Sequence, residues 1–459
     1  MNNRAFVWWE KLRTGLWVVP LAMLPLTILL HQGAGWIDRV APDQAALRTW
    51  WLYSGSGDDA RNLLSTLVAA IITMSSVVFS ITVVTLSLAA NQFGSRMVRI
   101  YMSDLRTKVA LGLFTMTIVY CLLGLRAVQK DMPAAEVPHV TVTLGLLLGL
   151  TCVLALLLFL HVVARSIVAD EVARRVAGEL EDSIAQLRPL EPGRRREDAE
   201  DARLPHDFEA RSVILASRDE GYVQAVDYEA LAALAARHGV LLRLDFKPGE
   251  FMCRHGWLGA VHPGEAVDRA FGDAVQDRIL IGRQRTPTQD LEFSIRHLID
   301  IALRALSPGI NDANTALMVI DRLRGALSRL MGKELAPCVY RDAAGEVRLV
   351  CRRSSHADIL DAALHQIRQA AARQPAIVIR LLEALARIAE HVRLPEQRES
   401  LRHHARLIAA AGLREAQEPG DRTDIEEAFA GAERKLEQAL RRRLRTVGRT
   451  GPEARAVQE

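Results

Sequence analysis

The sequence predicts a mostly α membrane protein, with four transmembrane helices followed by a cytoplasmic α+β region made of a small strand-rich domain and a helical bundle. Three observations predict it. Residues 62–95 carry no charged side chain, and as a helix this run of 34 residues reaches roughly 50 Å at about 1.5 Å per residue, well beyond a hydrocarbon layer of roughly 30 Å. Three further apolar stretches flank it, at 16–30, 109–128 and 140–163. Beyond residue 165 the chain turns charged, first with short runs of period-two character and then with helical periodicity. The expected division is a four-helix transmembrane domain at 1–165, a helical exit and charged linker at 166–208, a strand-rich domain at 209–285, a helical domain at 286–446 and a disordered tail at 447–459.

The first span is short and contains Pro20 and Pro25. Arg4, Lys11 and Arg13 precede it, so a cleaved signal sequence is the alternative. Trp8, Trp9 and Trp17 fit interfacial anchors, and no small-x-small cleavage site follows, which favours an uncleaved span. The second span carries Thr66, Thr73, Ser80 and Ser87 at intervals of seven, with Ala69, Ser76, Val83 and Ala90 between them, so small and hydroxylated side chains form one seam. Two explanations are open. Small residues let helices approach closely in lipid and their hydroxyls bond across the contact. Alternatively, Thr66, Thr73, Ser76, Ser80 and Ser87 line a pore, with Asn91 and Gln92 at its cytoplasmic mouth and Arg96 and Arg99 just beyond. Four spans are few to enclose a water path alone, so a pore requires a homo-oligomer.

Orientation follows from Lys and Arg next to the spans. Arg4, Lys11, Arg13, Arg96, Arg99, Arg106, Lys108, Arg165, Arg174 and Arg175 fall on one side, and Arg39, Arg48, Arg61 and Lys130 on the other, a ratio of ten to four that places both termini in the cytoplasm. Trp36, Trp50, Trp51 and Tyr53 in the first outer loop fit either a helix lying in the interface or an ordinary loop with aromatic anchors.

After the fourth span a helix is expected to continue to about residue 187, before Pro189, Pro192 and a dense run of charges mark the linker. Between 210 and 281 the runs RSVILAS, GYVQAVD, VLLRLDF, EFMCRHG and WLGAV read as strands, with a helix around Tyr228 to His238. The fifteen residues from Lys247 to Val261 resemble the paired strands of biotinyl-lipoyl barrel-sandwich domains. No lysine stands at an exposed hairpin tip, so the resemblance implies architecture and no carrier chemistry. From Leu291 the stretch LEFSIRHLIDIALRAL is an amphipathic helix ended by Ser307-Pro-Gly, and further helices are expected at 357–371, 375–391, 395–411 and 423–445.

The sequence contains no phosphate loop, dinucleotide fingerprint, His-Glu-x-x-His or nucleophile elbow. No catalytic residue, cofactor or metal is therefore expected, and the chain is read as not an enzyme. His403 and His404 are adjacent and point about 100° apart on a helix, which suits surface positions better than shared ligation. His161 and Arg126 lie near span ends within reach of water. Five cysteines show neither redox-pair nor metal-ligand spacing, and the net charge of +4 makes no case for nucleic acid. Expected partners are the lipid bilayer, further copies of the chain and, for a pore, ions.

Three stretches carry a family resemblance: SSVVFSITVVTLSLAANQFGSRMVRIYMSD continuing into ALGLFTMTIVYCLLGLR, the strand GYVQAVD, and RTPTQDLEFSIRHLIDIALRALSPGINDANTAL. Together they resemble the bacterial membrane-protein family catalogued as domain of unknown function 2254, over nearly the whole chain. The resemblance implies four membrane helices and a large cytoplasmic region, and no established activity; the expected location is the inner (plasma) membrane. Where relatives commonly read Asn-Asp-Pro, this chain has Asn311-Asp312-Ala313. Asn311 or Asp312 is expected to cap the next helix, or alternatively to form a cytoplasmic ion or ligand contact with Arg304. The function these features point to is an oligomeric channel-like protein with the second span at its axis and a cytoplasmic vestibule. The alternative is a non-conducting scaffold or sensor that binds a partner through its cytoplasmic region.

Overall fold

Four long helices begin the computed structural model, which describes residues 15–40, 52–93, 104–134, 136–166, 169–190 and 204–450, with 102 and 202. The expectations for Trp8, Trp9, Trp50, Trp51, Arg96 and Arg99, for most of the charged linker and for the tail from 451 onward fall outside these residues. The chain forms two compact units, 1–171 and 172–459.

In the first unit α1 (Val18–Val40), α2 (Gly57–Phe93), α3 (Leu105–Ala127) and α4 (His139–Ser166) are all long and apolar enough to cross a bilayer. Helix α1 runs ten residues past the expected end at 30 and takes Trp36 into the helix, because nothing in His31 to Val40 breaks it. Helix α3 is the central one: α1, α2 and α4 all pack on it, and Phe114, Tyr120 and Cys121 are fully buried. Glycines set how closely the helices approach. A Cβ on Gly124 of α3 would stand 3.3 Å from Leu64 Cδ1, and one on Gly149 of α4 2.9 Å from Leu67 Cδ2, so both leucines of α2 sit in holes that only glycine leaves.

The helix ends are satisfied by name. Both carboxylate oxygens of Asp38 cap α4, accepting from Val140 N at 2.9 Å and from Thr141 N and Oγ1 at 3.1 and 2.7 Å. The Arg61 guanidinium donates to the Leu125 and Val128 carbonyls at 3.4 and 2.9 Å, a cation placed at the negative end of α3.

In the second unit the strands are β1 (Val213–Ala216), β2 (Gly221–Val226), β3 (Leu241–Leu244), β4 (Phe251–Met252), β5 (Trp257–His262), β6 (Ile279–Gly282), β7 (Val339–Arg341) and β8 (Val347–Cys351). They form a five-stranded sheet in the order β1-β5-β3-β8-β7 and a three-stranded sheet in the order β4-β2-β6. The helices are α5 (Ala169–Ala185), α6 (Tyr228–Arg237), α7 (Arg269–Gln276), α8 (Leu291–Ala305), α9 (Ala313–Leu330), α10 (His356–Ala371), α11 (Pro375–Ala389), α12 (Pro395–Glu415) and α13 (Pro419–Thr450), besides one short turn of helix at Phe208–Arg211. One core joins Leu231 and Leu234 of α6, Phe271 and Val275 of α7, and strand residues Val223, Leu242, Leu244, Leu258, Val261 and Leu349.

Two expectations are corrected. The strand-rich region does not end at 285, because β7 and β8, from inside the stretch read as helical, complete the five-stranded sheet and β8 pairs in parallel with β3. Their turn is built by Asp342, whose Oδ1 accepts from Ala344 N and Glu346 N, and by Gly345 at φ +84°. The barrel-sandwich pairing is absent: β4 pairs with β2, whereas β5 pairs with β1 and β3, so the two runs belong to different sheets.

Candidate functional site

The second membrane helix presents two parallel series of period seven. Leu64, Ile71, Val78 and Thr85 are buried against the chain's own helices, and Thr66, Thr73, Ser80 and Ser87 are exposed. Offset by two residues, the series stand about 200° apart around a helix that turns about 100° per residue, so the stripe lies on the side opposite the bundle. Ser65, Ala69, Ala70 and Ser76 are exposed with it. Among the described residues of the first unit, then, none covers the seam. The Thr66, Thr73 and Ser76 hydroxyls donate back to the carbonyls of Asn62, Ala69 and Ile72 at 2.7, 2.9 and 3.0 Å, which satisfies the donor and leaves the oxygen facing outward. Asn91 and Gln92 lie in the last turn of α2, with side chains outside the described residues.

The other outward faces differ in kind. Helix α4 exposes Leu146, Leu147, Leu150, Val153, Leu154, Leu157 and Leu158, and α1 exposes Leu21, Leu26, Ile28 and Leu29. Those are faces suited to acyl chains. The stripe on α2 is flanked by Ile72, Phe79, Val83 and Leu88 but is itself hydroxylated and small. The sequence reading missed Thr82 and Thr85, hydroxyls of the buried face. With Leu16, Thr107 and Phe159 they line a cavity of about 30 Å³, room for a water molecule.

The second unit holds its buried charges at the start of α8. Asp290 caps the helix, accepting from Phe293 N at 3.1 Å, and its other oxygen accepts from Arg285 Nε at 2.6 Å. Glu292, with a side chain 5% exposed, accepts from Lys247 Nζ and Ser354 Oγ, both at 2.6 Å, and from Arg296 at 3.3 Å. The cluster ties the turn after β3, the first turn of α8 and the loop between β8 and α10. Burial pushes both carboxyls up. At Glu292 the bonds from Lys247 and Ser354 and the Lys247 charge outweigh burial, leaving it below the usual carboxylate range, whereas at Asp290 Arg285 offsets burial only in part and the carboxyl stays above it. A carboxylate already accepting from three donors is suited to holding segments together rather than to reacting. Much of the RTPTQDLEFSIRHL block is thereby explained by folding: Gln289 pairs both ways with the Val226 backbone at 3.0 Å, as an added strand residue would.

At the next turn, Asn311 takes a left-handed φ of +49° and Asp312 caps α9, its two oxygens receiving Thr315 N at 3.1 Å and Thr315 Oγ1 at 2.5 Å. The Arg304 carbonyl accepts from Ser307 N at 3.1 Å and Ser307 Oγ at 2.6 Å, so that residue's backbone closes the end of α8. One expectation about histidine is overturned. His403 is exposed but His404 is buried, because α12 turns it onto α10, where its Nε2 meets Asp361 Oδ1 at 2.9 Å. The missed signal was Asp361 and His365 one turn apart on the facing helix.

Four helices long and apolar enough to cross a membrane, ahead of a mixed α and β unit, point to the class of membrane proteins. The chain belongs to the family described as "Predicted membrane protein (DUF2254)", whose model matches residues 13–387. It is 31% identical over 440 residues to the uncharacterized proteins Mb1321c of Mycobacterium bovis and Rv1290c of Mycobacterium tuberculosis, covering 94% of this chain and 82% of each relative. No solved structure matches it. Membership implies contact with a lipid bilayer.

Proposed function

We propose that the chain assembles with further copies of itself in the bacterial inner membrane, with the stripe of α2 turned toward its neighbours around a path for ions or small polar solutes. The observation that carries this is the placement of Thr66, Thr73, Ser80 and Ser87 on the face opposite the bundle, while the outward faces of α1 and α4 are leucine-rich. Small and hydroxylated residues serve helix contacts and water-lined walls alike, and lipid rewards neither property. In a ring of copies the flanking Phe79 and Val83 pack between neighbours and the hydroxyls approach the axis. The ratio of ten to four in flanking Lys and Arg supports the reading that both termini, and with them the unit beginning at 172, face the cytoplasm. No chemical reaction is assigned to the protein.

Purified full-length protein tests this in two measurements, its mass in detergent and ion flux after reconstitution in liposomes. The expected results are several copies per particle and flux that Ser80→Leu lowers by about tenfold or more without dispersing the assembly. A monomer that passes no ion at any voltage, tension or pH overturns the proposal and leaves the scaffold or sensor alternative. Assembly lost in Ser80→Leu assigns the stripe to close packing alone.

A further inference from the structure

Helices α10 and α12 pack against each other in the second unit and bring three side chains with metal-binding atoms together. Asp361 and His365 are four apart on α10 and so share a face. His404 enters from α12. Both imidazoles aim their Nε2 at one oxygen, Asp361 Oδ1, at 3.1 Å from His365 and 2.9 Å from His404. One atom from each of the three residues lies within 4.8 Å of the others. The floor of the group is closed and its mouth is open: the His404 side chain is 1% exposed, against 38% for His365 and 48% for Asp361.

A solvent-exposed Asp–His pair one turn apart on a helix needs no special account. The second imidazole is different, because it is buried and directed at the same atom. Burial, ahead of the neighbouring His365 and His403, pushes the His404 pKa down against the pull of Asp361, which favours the neutral ring; ligation through Nε2 then requires the ring proton to sit on Nδ1. Bonds of about 2.0–2.1 Å to nitrogen and oxygen in a tetrahedral ion set ligand–ligand edges near 3.3 Å. The observed 2.9 and 3.1 Å edges therefore need open by only a few tenths of an ångström. Two imidazoles and one carboxylate suit borderline divalent ions of the zinc class, whereas magnesium and calcium select oxygen.

We propose that Asp361, His365 and His404 bind one divalent first-row transition metal ion, of which zinc is the best match, with a further coordination position open to solvent. The ion ties α10 to α12 across 43 residues of chain, from Asp361 to His404. Three protein ligands with an open mouth are the pattern of a site that can take a water or an exogenous ligand, in contrast to the closed four-ligand sites that only hold a fold.

The test uses full-length protein in detergent, without a polyhistidine tag, stripped with a chelator and then titrated with cobalt(II) alone. One equivalent per chain is expected, with the visible d–d bands of a low-coordinate cobalt ion, displaced by zinc and not by magnesium. Asp361→Asn and His365→Ala change exposed walls and should keep the far-ultraviolet circular dichroism of the wild type. Each should weaken cobalt by at least the roughly 10–100-fold that even an outer-shell substitution costs. Zinc should raise the melting temperature of the wild type and not of either variant. Binding of well under one equivalent to the wild type overturns the proposal, as does binding that both variants retain unchanged, which would send the ion to other histidines.

Discussion

Replacing Glu292 by Gln removes the one negative charge among Lys247, Ser354 and Arg296. At the observed 2.6 Å between Lys247 Nζ and Glu292 Oε1, two unit charges attract by about 6 kcal/mol at an effective dielectric constant near 20. Taking both out of water costs several kcal/mol per ion, so the intact pair contributes little net stability. Removing one partner is another matter. Lys247 is 19% exposed and Glu292 5%, so the ammonium stays largely buried with neutral acceptors only, the amide oxygen of the new side chain and Ser354 Oγ at 3.4 Å, and no counter-charge. Glu292→Gln should therefore cost about 3–5 kcal/mol. The double variant Lys247→Met, Glu292→Met, apolar on both sides, should recover at least half of that. Chemical denaturation of the full-length protein, followed by circular dichroism and by hydrogen exchange in α8, measures both. A single substitution that costs less than about 0.5 kcal/mol, or a double variant whose loss is the sum of the two singles, would refute the assignment of these groups to one coupled pair.

Gly249 stands at φ +90° beside the Arg285–Asp290 pair, where an added Cβ would run into the carboxylate and the guanidinium. Gly249→Ala should destabilise the second unit by about 1–3 kcal/mol in the same denaturation assay. Asp38→Ala removes three acceptor contacts from the start of α4 and should cost about 0.5–2 kcal/mol, seen as faster hydrogen exchange at Val140 and Thr141. Because the Glu292 carboxyl is held below its usual 4.5, its contribution is present above that pH and lost as pH falls further. The stability gap between wild type and Glu292→Gln should thus shrink in titrations below about pH 4.5. Asp290, held above its usual 3.8 by burial and in smaller part by the Glu292 charge, acts in the opposite sense and loses its contribution as pH rises through the raised value; Glu292→Gln removes that smaller part of the rise.

The four long apolar helices and most helices of the second unit were legible because each rests on local signals. Uncharged length marks α2, and proline at the first helical position marks the starts of α11 and α12. What depended on distant partners was not. The β7–β8 hairpin is short and sits between strong helical patterns, although Val339-Tyr-Arg and Val347-Arg-Leu-Val-Cys around an Asp-to-Gly turn carry a period-two signal that could have been read. The resemblance of the EFMCRHGWLGAV run to a barrel-sandwich pair implied that its two strands are partners, and only the sheet order shows them apart. The period-seven seam was visible, but the sequence does not say which face of α2 meets the bundle; Gly124 and Gly149 decide that by receiving Leu64 and Leu67. Likewise, the adjacency of His403 and His404 hid the fact that one of them turns inward to Asp361.

Disulfide trapping along α2 in native membranes tests most directly whether the stripe meets another copy. In a background where exposed Cys253 is replaced by Ser, single cysteines are placed at 66, 73, 80 and 87 and, for comparison, at 64, 71 and 78, then oxidised with a membrane-permeant catalyst. Cross-linked species should form at the first four positions and fall away at the last three. Stripe cysteines that stay monomeric at every catalyst concentration, while reacting freely with lipid-soluble maleimide, would show that this face meets only acyl chains, and the assembly built on it would be abandoned.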